Sequence, residues 1–161
     1  MLFDGGIHLV ACIRMLLTAA GEDIKQLSAF PTQLQELLPP VDTVHAVMST
    51  TNGGTGTFHL SFGAEFNHGF DMEAITTNGS VVFNPVVMKV VRKLENGEQS
   101  EEQIDVVMDS GVPAEISAFG QGILRCSLDE RQSTKEAYED VLVMQSMLES
   151  GKAQGAPRIL R

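Results

Sequence analysis

Residues 41–61 read Val41-Asp42-Thr43-Val44-His45-Ala46-Val47-Met48-Ser49-Thr50-Thr51-Asn52-Gly53-Gly54-Thr55-Gly56-Thr57-Phe58-His59-Leu60-Ser61, and their period of two decides the fold class. Val44, Ala46 and Met48 alternate with Thr43, His45, Val47 and Ser49. Beyond Asn52-Gly53-Gly54, Phe58, Leu60 and Phe62 alternate with Thr57, His59 and Ser61. Two such runs across a glycine-rich turn make a hairpin with one apolar face and one face of small polar groups.

Toward the C-terminus the pattern repeats. Phe70 to Thr77 and Ser80 to Asn84 form a second hairpin across Asn78-Gly79; Val86 to Leu94 and Gln103 to Met108 form a third around Asn96-Gly97. These runs describe an antiparallel meander covered on one side. The cover is helical: Pro113 to Leu124 carries Ile116, Phe119 and Ile123 at helical spacing. Ser133 then caps a last helix with Glu136 in capping-box position. Its inward stripe is Ala137, Val141, Met144 and Leu148, and Gly151 closes it. The fold class is therefore α+β: an open, mainly antiparallel sheet of about six strands with helices packed on one face. Residues 1–151 form one domain and 152–161 a loosely held tail.

On the N-terminal side, Asp23 to Phe30 reads as a strand leading to Pro31. Thr32 to Leu38 forms one or two helical turns within a connector that Pro39-Pro40 ends. Gly6 to Ala20 is apolar nearly all round, with Arg14 its one fixed charge, so it forms a mostly buried helix that Gly21 stops. At its mouth stand Leu2-Phe3-Asp4-Gly5-Gly6-Ile7-His8-Leu9-Val10. With a helix starting at or just after Asp4, Asp4 and His8 stack on one face one turn apart. A carboxylate beside an imidazole fixes its tautomer and raises its basicity, which suits proton transfer near neutral pH. The glycines between them admit a ligand or another backbone closely. The bland account is that Asp4 is a helix cap and His8 a satisfied core histidine.

Asp-x-Gly-x-His opening an apolar helix resembles the motif in the C-terminal domain of the Gfo/Idh/MocA family of nicotinamide-dependent sugar and polyol oxidoreductases. Phe58 to Ala64, Thr77 to Ser80 and Glu115 to Leu160 follow in that family's order and spacing, so the resemblance covers nearly the whole chain. It departs where the family often has an acid three residues after the histidine; here that residue is Ala11. The resemblance implies that His8 exchanges a proton with the hydroxyl of a sugar or polyol, and that Asp4 orients His8 or binds a substrate hydroxyl. It also implies NAD or NADP as cofactor of the intact protein, and a homo-oligomer paired through the open sheet face. Family members carry the dinucleotide on a preceding Rossmann domain whose Glu-Lys-Pro lysine completes the site. No strand, Gly-x-Gly-x-x-Gly and helix occurs in succession here, so no residue of this chain is assigned to the cofactor and none is expected to bind it alone. The competing reading is a non-catalytic ligand-binding or dimerisation module, a truncated or detached domain.

Composition closes other routes. Acidic residues outnumber basic ones 21 to 11, for a formal charge of −10, without a basic run; nucleic acid and anionic membrane surfaces are poor partners. Cys12 and Cys126 make neither a metal spacing nor a disulfide framework, as in a reducing, cytoplasmic compartment. The N-terminus has no basic n-region and carries Asp4, His8 and Arg14 where a signal peptide needs none, and the longest apolar run is too short to span a bilayer. Cys12 continues the Asp4/His8 ladder by a turn, but a small buried thiol is the ordinary occupant of such a position, so no metal is assigned. Asn52 to Thr57 has the glycine content of a phosphate loop but precedes a strand and has no lysine, so it is a turn. His45 and His59 meet on neighbouring strands, either to bind a ligand on the polar face or as ordinary half-exposed positions. His68 lies in a loop, Glu65 to Gly69, with no evident partner.

Overall fold

The computed structural model describes residues 2–66, 68–107 and 111–160. In chain order the elements are α1 (Leu2–Ala19), β1 (Ile24–Thr32), β2 (Thr43–Thr50), β3 (Thr55–Ser61), β4 (Met72–Thr76), β5 (Gly79–Phe83), β6 (Val87–Lys93), β7 (Gln99–Asp105), α2 (Val112–Arg125), α3 (Thr134–Lys152) and β8 (Arg158–Ile159), with a 3₁₀ turn at Glu130–Gln132. The architecture is α+β, with open antiparallel sheets as the alternation requires. The described strands number eight and divide between two four-stranded sheets, β3-β2-β1-β8 and β4-β5-β6-β7. Compact units follow the same division, one within residues 1–65 and 122–161, the other within 66–121.

In the first unit, β2 lies between β1 and β3, with Ala29 opposite Ala46 and Ala46 opposite Phe58. The covered face carries Leu27, Ala29, Val44, Ala46, Met48, Phe58 and Leu60, all buried, and the helices add Leu2, Val10, Val143, Met144 and Met147. Two helices therefore close one side of this sheet and leave the other open. The supposed tail is tied in: β8 pairs with β1 through Gln26–Ile159 and Leu27–Arg158, a two-residue strand too short to show a period.

Helix α1 begins at Leu2, earlier than the glycines suggested, because Leu2 is itself a core residue at 4 % exposure. It ends as expected: Gly21 adopts φ +71° and Glu22 N–H donates to the Leu17 carbonyl at 2.9 Å. In α3 the buried stripe is Asp140, Val143, Met144, Met147 and Ser150, whereas Ala137 and Val141 face solvent. Of the expected stripe, Met144 is buried and Leu148 half-buried. The rotation has a cause. Arg14 reaches from α1 to Asp140 Oδ1 at 2.5 Å and Glu136 Oε2 at 3.0 Å, drawing the polar residues inward. Ser133 does cap α3, accepting from Glu136 N–H at 3.2 Å, but the Glu136 carboxylate answers Arg14 instead of returning to the cap.

Gly151 does not close α3 but lies within its last turn, where Pro31 of β1 leaves no room for a side chain, a Cβ there falling 2.1 Å from Pro31 Cδ. The left-handed residues that end the helix come later, Gln154 at φ 56° and Gly155 at φ 83°. Between β1 and β2, the connector forms turns in place of the expected helix.

In the second unit, β4 pairs with β5 across Asn78-Gly79 and β6 with β7 across Asn96-Gly97, as the turns predicted. β7 starts at Gln99, four residues before the expected Gln103; Met108 lies outside the described residues. Helix α2 forms, but Ile116, Phe119 and Ile123 are 66, 51 and 59 % exposed. The spacing located an apolar face correctly; it carried no information about a cover.

Candidate functional site

Helix α1 divides its first two turns by function. Leu2, Gly6 and Val10 are buried, while Asp4 and His8 are exposed. In an α-helix that four-residue spacing puts the carboxylate and imidazole on one face, about 6 Å apart along the axis. No hydrogen bond or ion pair joins them among the described residues. Asp4 is the third helical residue and not a cap, and His8 is not a core histidine, so neither bland account holds in the structure.

The glycines between them serve packing. A Cβ on Gly5 would lie 2.4 Å from Phe62 Cζ, and one on Gly6 would lie 2.7 Å from Leu60 Cδ2. What approaches the backbone there is the end of β3, and that contact seats the helix mouth against the sheet.

Beside that contact is a buried acid the sequence reading did not single out. Asp42, 0 % exposed, accepts from Leu34 N–H at 3.0 Å, Gln35 N–H at 2.8 Å and the Thr43 hydroxyl at 2.9 Å. Burial works against its charge, but these donors outweigh it and hold the carboxyl below the usual carboxylate range. Gly63 passes so close that a Cβ would fall 2.7 Å from Asp42 Oδ2. Asp42 thus clamps the 33–38 connector and the chain leaving β3, and Phe62 N–H donates to its carbonyl at 2.9 Å. Its only sequence signal is an acid two residues after Pro39-Pro40 at the head of a strand.

Cys12, one turn past His8, is half-buried. Burial, and after it the charge of Asp140, push its thiol up, so it is a poor thiolate ligand. Among the described residues no three His, Cys, Asp or Glu side chains are grouped to hold a metal. Asn52 to Gly54 lie in the β2–β3 turn and Thr55 to Thr57 open β3, so the glycine-rich stretch leads into a strand and not a helix. His45 and His59 do meet, directly opposite one another, with Nδ1 atoms 2.7 Å apart. His68 is exposed, and its neighbour Asn67 lies outside the described residues. A shallow cleft of the second unit is lined by Ile75, Thr76, Ser80, Val91, Lys93 and Gln99, among others; neither Asp4 nor His8 contributes to it. No helix is long and apolar enough to cross a membrane among the described residues.

Comparison with known proteins bears on this geometry. Residues 1–82, which hold α1, the first three strands and the Asp42 clamp, match the GFO/IDH/MocA C-terminal domain family. Dehydrogenase FPY6 of Fusarium mangiferae is 40 % identical over 160 residues, covering 99 % of this chain and 46 % of its own length. An oxidoreductase from Agrobacterium radiobacter, solved with NAD+, L-tartaric acid and magnesium, superposes with TM-score 0.78 at 16 % identity, over 99 % of this chain and 48 % of that one. A levoglucosan dehydrogenase solved with NADH and levoglucosan superposes with TM-score 0.76 at 16 % identity, over 96 % of this chain and 48 % of that one. The chain spans about half the length of these relatives.

Proposed function

The chain belongs to the GFO/IDH/MocA family through its C-terminal domain, and from that premise we propose that it is the substrate-binding half of a nicotinamide-dependent oxidoreductase acting on the CH–OH group of a sugar or polyol. The observation that carries the reading is the exposed Asp4/His8 pair on one face of a helix whose opposite face is locked into the core. An exposed imidazole on a rigid element can meet a substrate hydroxyl, take its proton during oxidation and return it to the carbonyl on reduction. Asp4, one turn away, binds a second hydroxyl or orients the imidazole once substrate is present.

The sequence has no strand, Gly-x-Gly-x-x-Gly and helix in succession, and we assign the hydride half of the reaction to a cofactor, NAD or NADP, held outside these 161 residues. The relatives solved with NAD+ and NADH, each about twice as long as this chain, support that assignment. The open face of the first sheet exposes Phe30, Val47 and Ile159; we assign to it the pairing of subunits. The free cysteines and the acidic charge accord with a cytoplasmic protein.

In the whole protein, His8→Ala lowers kcat for polyol oxidation by about 10²–10⁴-fold, the usual worth of general acid–base catalysis, with the cofactor Kd unchanged. Unchanged turnover removes His8 from the mechanism. A whole protein that binds ligand and pairs but shows no nicotinamide-linked turnover on any polyol is the non-catalytic module instead.

A further inference from the structure

The open face of the first sheet, assigned above to the pairing of subunits, holds two imidazoles that the proposed reaction does not use. His45 of β2 and His59 of β3 are directly opposite in register. Their Nδ1 atoms are 2.7 Å apart, and their ring centroids lie 4.3 Å apart with the planes tilted by 53°. That distance is a hydrogen bond, one Nδ1–H donating to the lone pair of the other Nδ1.

Phe30 of β1 completes the row of the pair, and the rows on either side centre on Thr43 and Val47. Across these three rows the two imidazoles are the only ionisable side chains. The charges nearest them in β1 and at the head of β2 are Lys25, at the register shift of β1, and Asp42. These stand about 17 Å from Phe30 and about 10 Å from His45 along the strands, too far to pair with either ring. Asp42 is also already held by the Leu34 and Gln35 N–H groups, and β3 carries no fixed charge. A second copy fits such a surface. Each chain has a formal charge of −10, and a face without fixed charge lets two of them meet without setting like charges against each other. In a two-fold pair the same rows face themselves.

Resting on that assignment, we propose that a second copy of this chain closes the face and that the His45–His59 pair makes the closure depend on pH, holding while the rings are neutral and opening as they take up protons. A first proton, on Nε2 of the donor ring, keeps the hydrogen bond but places a charge in a face closed to water. A second has only the accepting Nδ1 to go to; the bond is then lost and two like charges stand side by side. Water solvates those charges on a separated chain, and nothing does so between two copies. Protons therefore bind the separated chains more tightly than the pair. Pairing is complete above the ordinary imidazole range and is lost as the pH falls through it.

Sedimentation of the full chain over a concentration series at pH 7.5 and pH 5.5, with circular dichroism following the fold, tests this. Dimers are expected at pH 7.5. Their dissociation constant rises about 10–100-fold at pH 5.5, the range for one or two protons taken up per dimer near pH 6.5. The double variant His45→Gln/His59→Gln, altered at exposed positions, still pairs, with a constant that changes by less than about threefold between the two pH values. Val47→Glu, one row away, gives monomers at both. A parent chain whose constant moves by less than about threefold, or a double variant that keeps the parent's pH dependence, overturns the switch and leaves the pairing face standing. A parent that is monomeric at pH 7.5, or a Val47→Glu variant that still pairs, overturns the pairing assignment and the switch with it.

Discussion

Replacing Arg14 by Met tests how α1 is fixed, because the guanidinium is the charge that crosses between the two covering helices. Its side chain is 11 % exposed, as is that of Asp140; it also reaches the Glu136 carboxylate and, at 3.2 Å, the Glu136 carbonyl. Burial opposes its charge, but the hydrogen bond and field of Asp140, with Glu136 behind them, prevail and hold its pKa above the ordinary value. Methionine fills much of the volume and leaves Asp140 buried without its cation. Removing one partner of a buried pair costs about 3–5 kcal/mol. The Glu136 pair, 40 % exposed on the acid side, adds at most about 1 kcal/mol. The expected loss is therefore about 3–6 kcal/mol, a drop of about 1.5–3 M in the urea midpoint at a slope of about 2 kcal/mol per M. Far-UV circular dichroism along a urea series measures it. The double variant Arg14→Met/Asp140→Leu regains most of the loss, since apolar replacement of both partners is roughly neutral. A single variant within about 0.5 kcal/mol of the parent, inside the range of ordinary surface changes, refutes the claim that this ion pair is buried and structural.

Two further outcomes follow from the geometry. Gly151→Ala gains about 1 kcal/mol of helix propensity but drives a Cβ to within 2.2 Å of the Pro31 ring; overpacking of about 1–3 kcal/mol wins, and a calorimetric Tm equal to or above the parent's disproves the α3–β1 contact. Asp129 accepts from the Arg131 side chain at 2.6 and 2.9 Å and from its backbone N–H at 3.0 Å, which lowers its pKa to about 2. A depressed carboxyl contributes stability above its unfolded value, and that contribution is lost as the pH falls from near 3.8 through about 2. Carboxyl NMR across that range checks it: Arg131→Ala should return the titration toward 3.8, and no upward movement refutes the assignment.

Turn chemistry was the most legible part of the fold. Gly53, Gly79 and Gly97 all adopt positive φ at the hairpins their Asn-Gly pairs announced, because a reversing backbone needs a conformation that side chains resist. What a period cannot say is which hairpin joins which. The alternation in 41–61 and in 70–94 is the same signal, yet the strands go into separate sheets. Cover is equally silent, since Ile116 and Phe119 have helical spacing whether or not anything packs on them. In α3 the apolar letters at 137 and 141 point to an inward face, and a buried Asp140 overrules them by pairing with a charge 126 residues away. A long-range ion pair leaves no local trace in sequence.

The same distinction explains the candidate site. Asp-x-Gly-x-His was legible as a unit, but its glycines and its polar residues serve opposite sides of one helix. Gly5 and Gly6 let the backbone settle against Phe62 and Leu60, and the 100° step per residue then turns Asp4 and His8 away from the sheet. Six residues, about 9 Å, beyond His8, Arg14 pins the same helix to α3. The direction in which the imidazole points is thus set by packing at the glycines and by the Arg14 ion pairs. Bulk at Gly6 or loss of Arg14 should therefore disturb the position of His8 as well as stability. His8→Ala removes the imidazole from the exposed face and leaves both contacts intact, so it separates the chemistry of the motif from its packing.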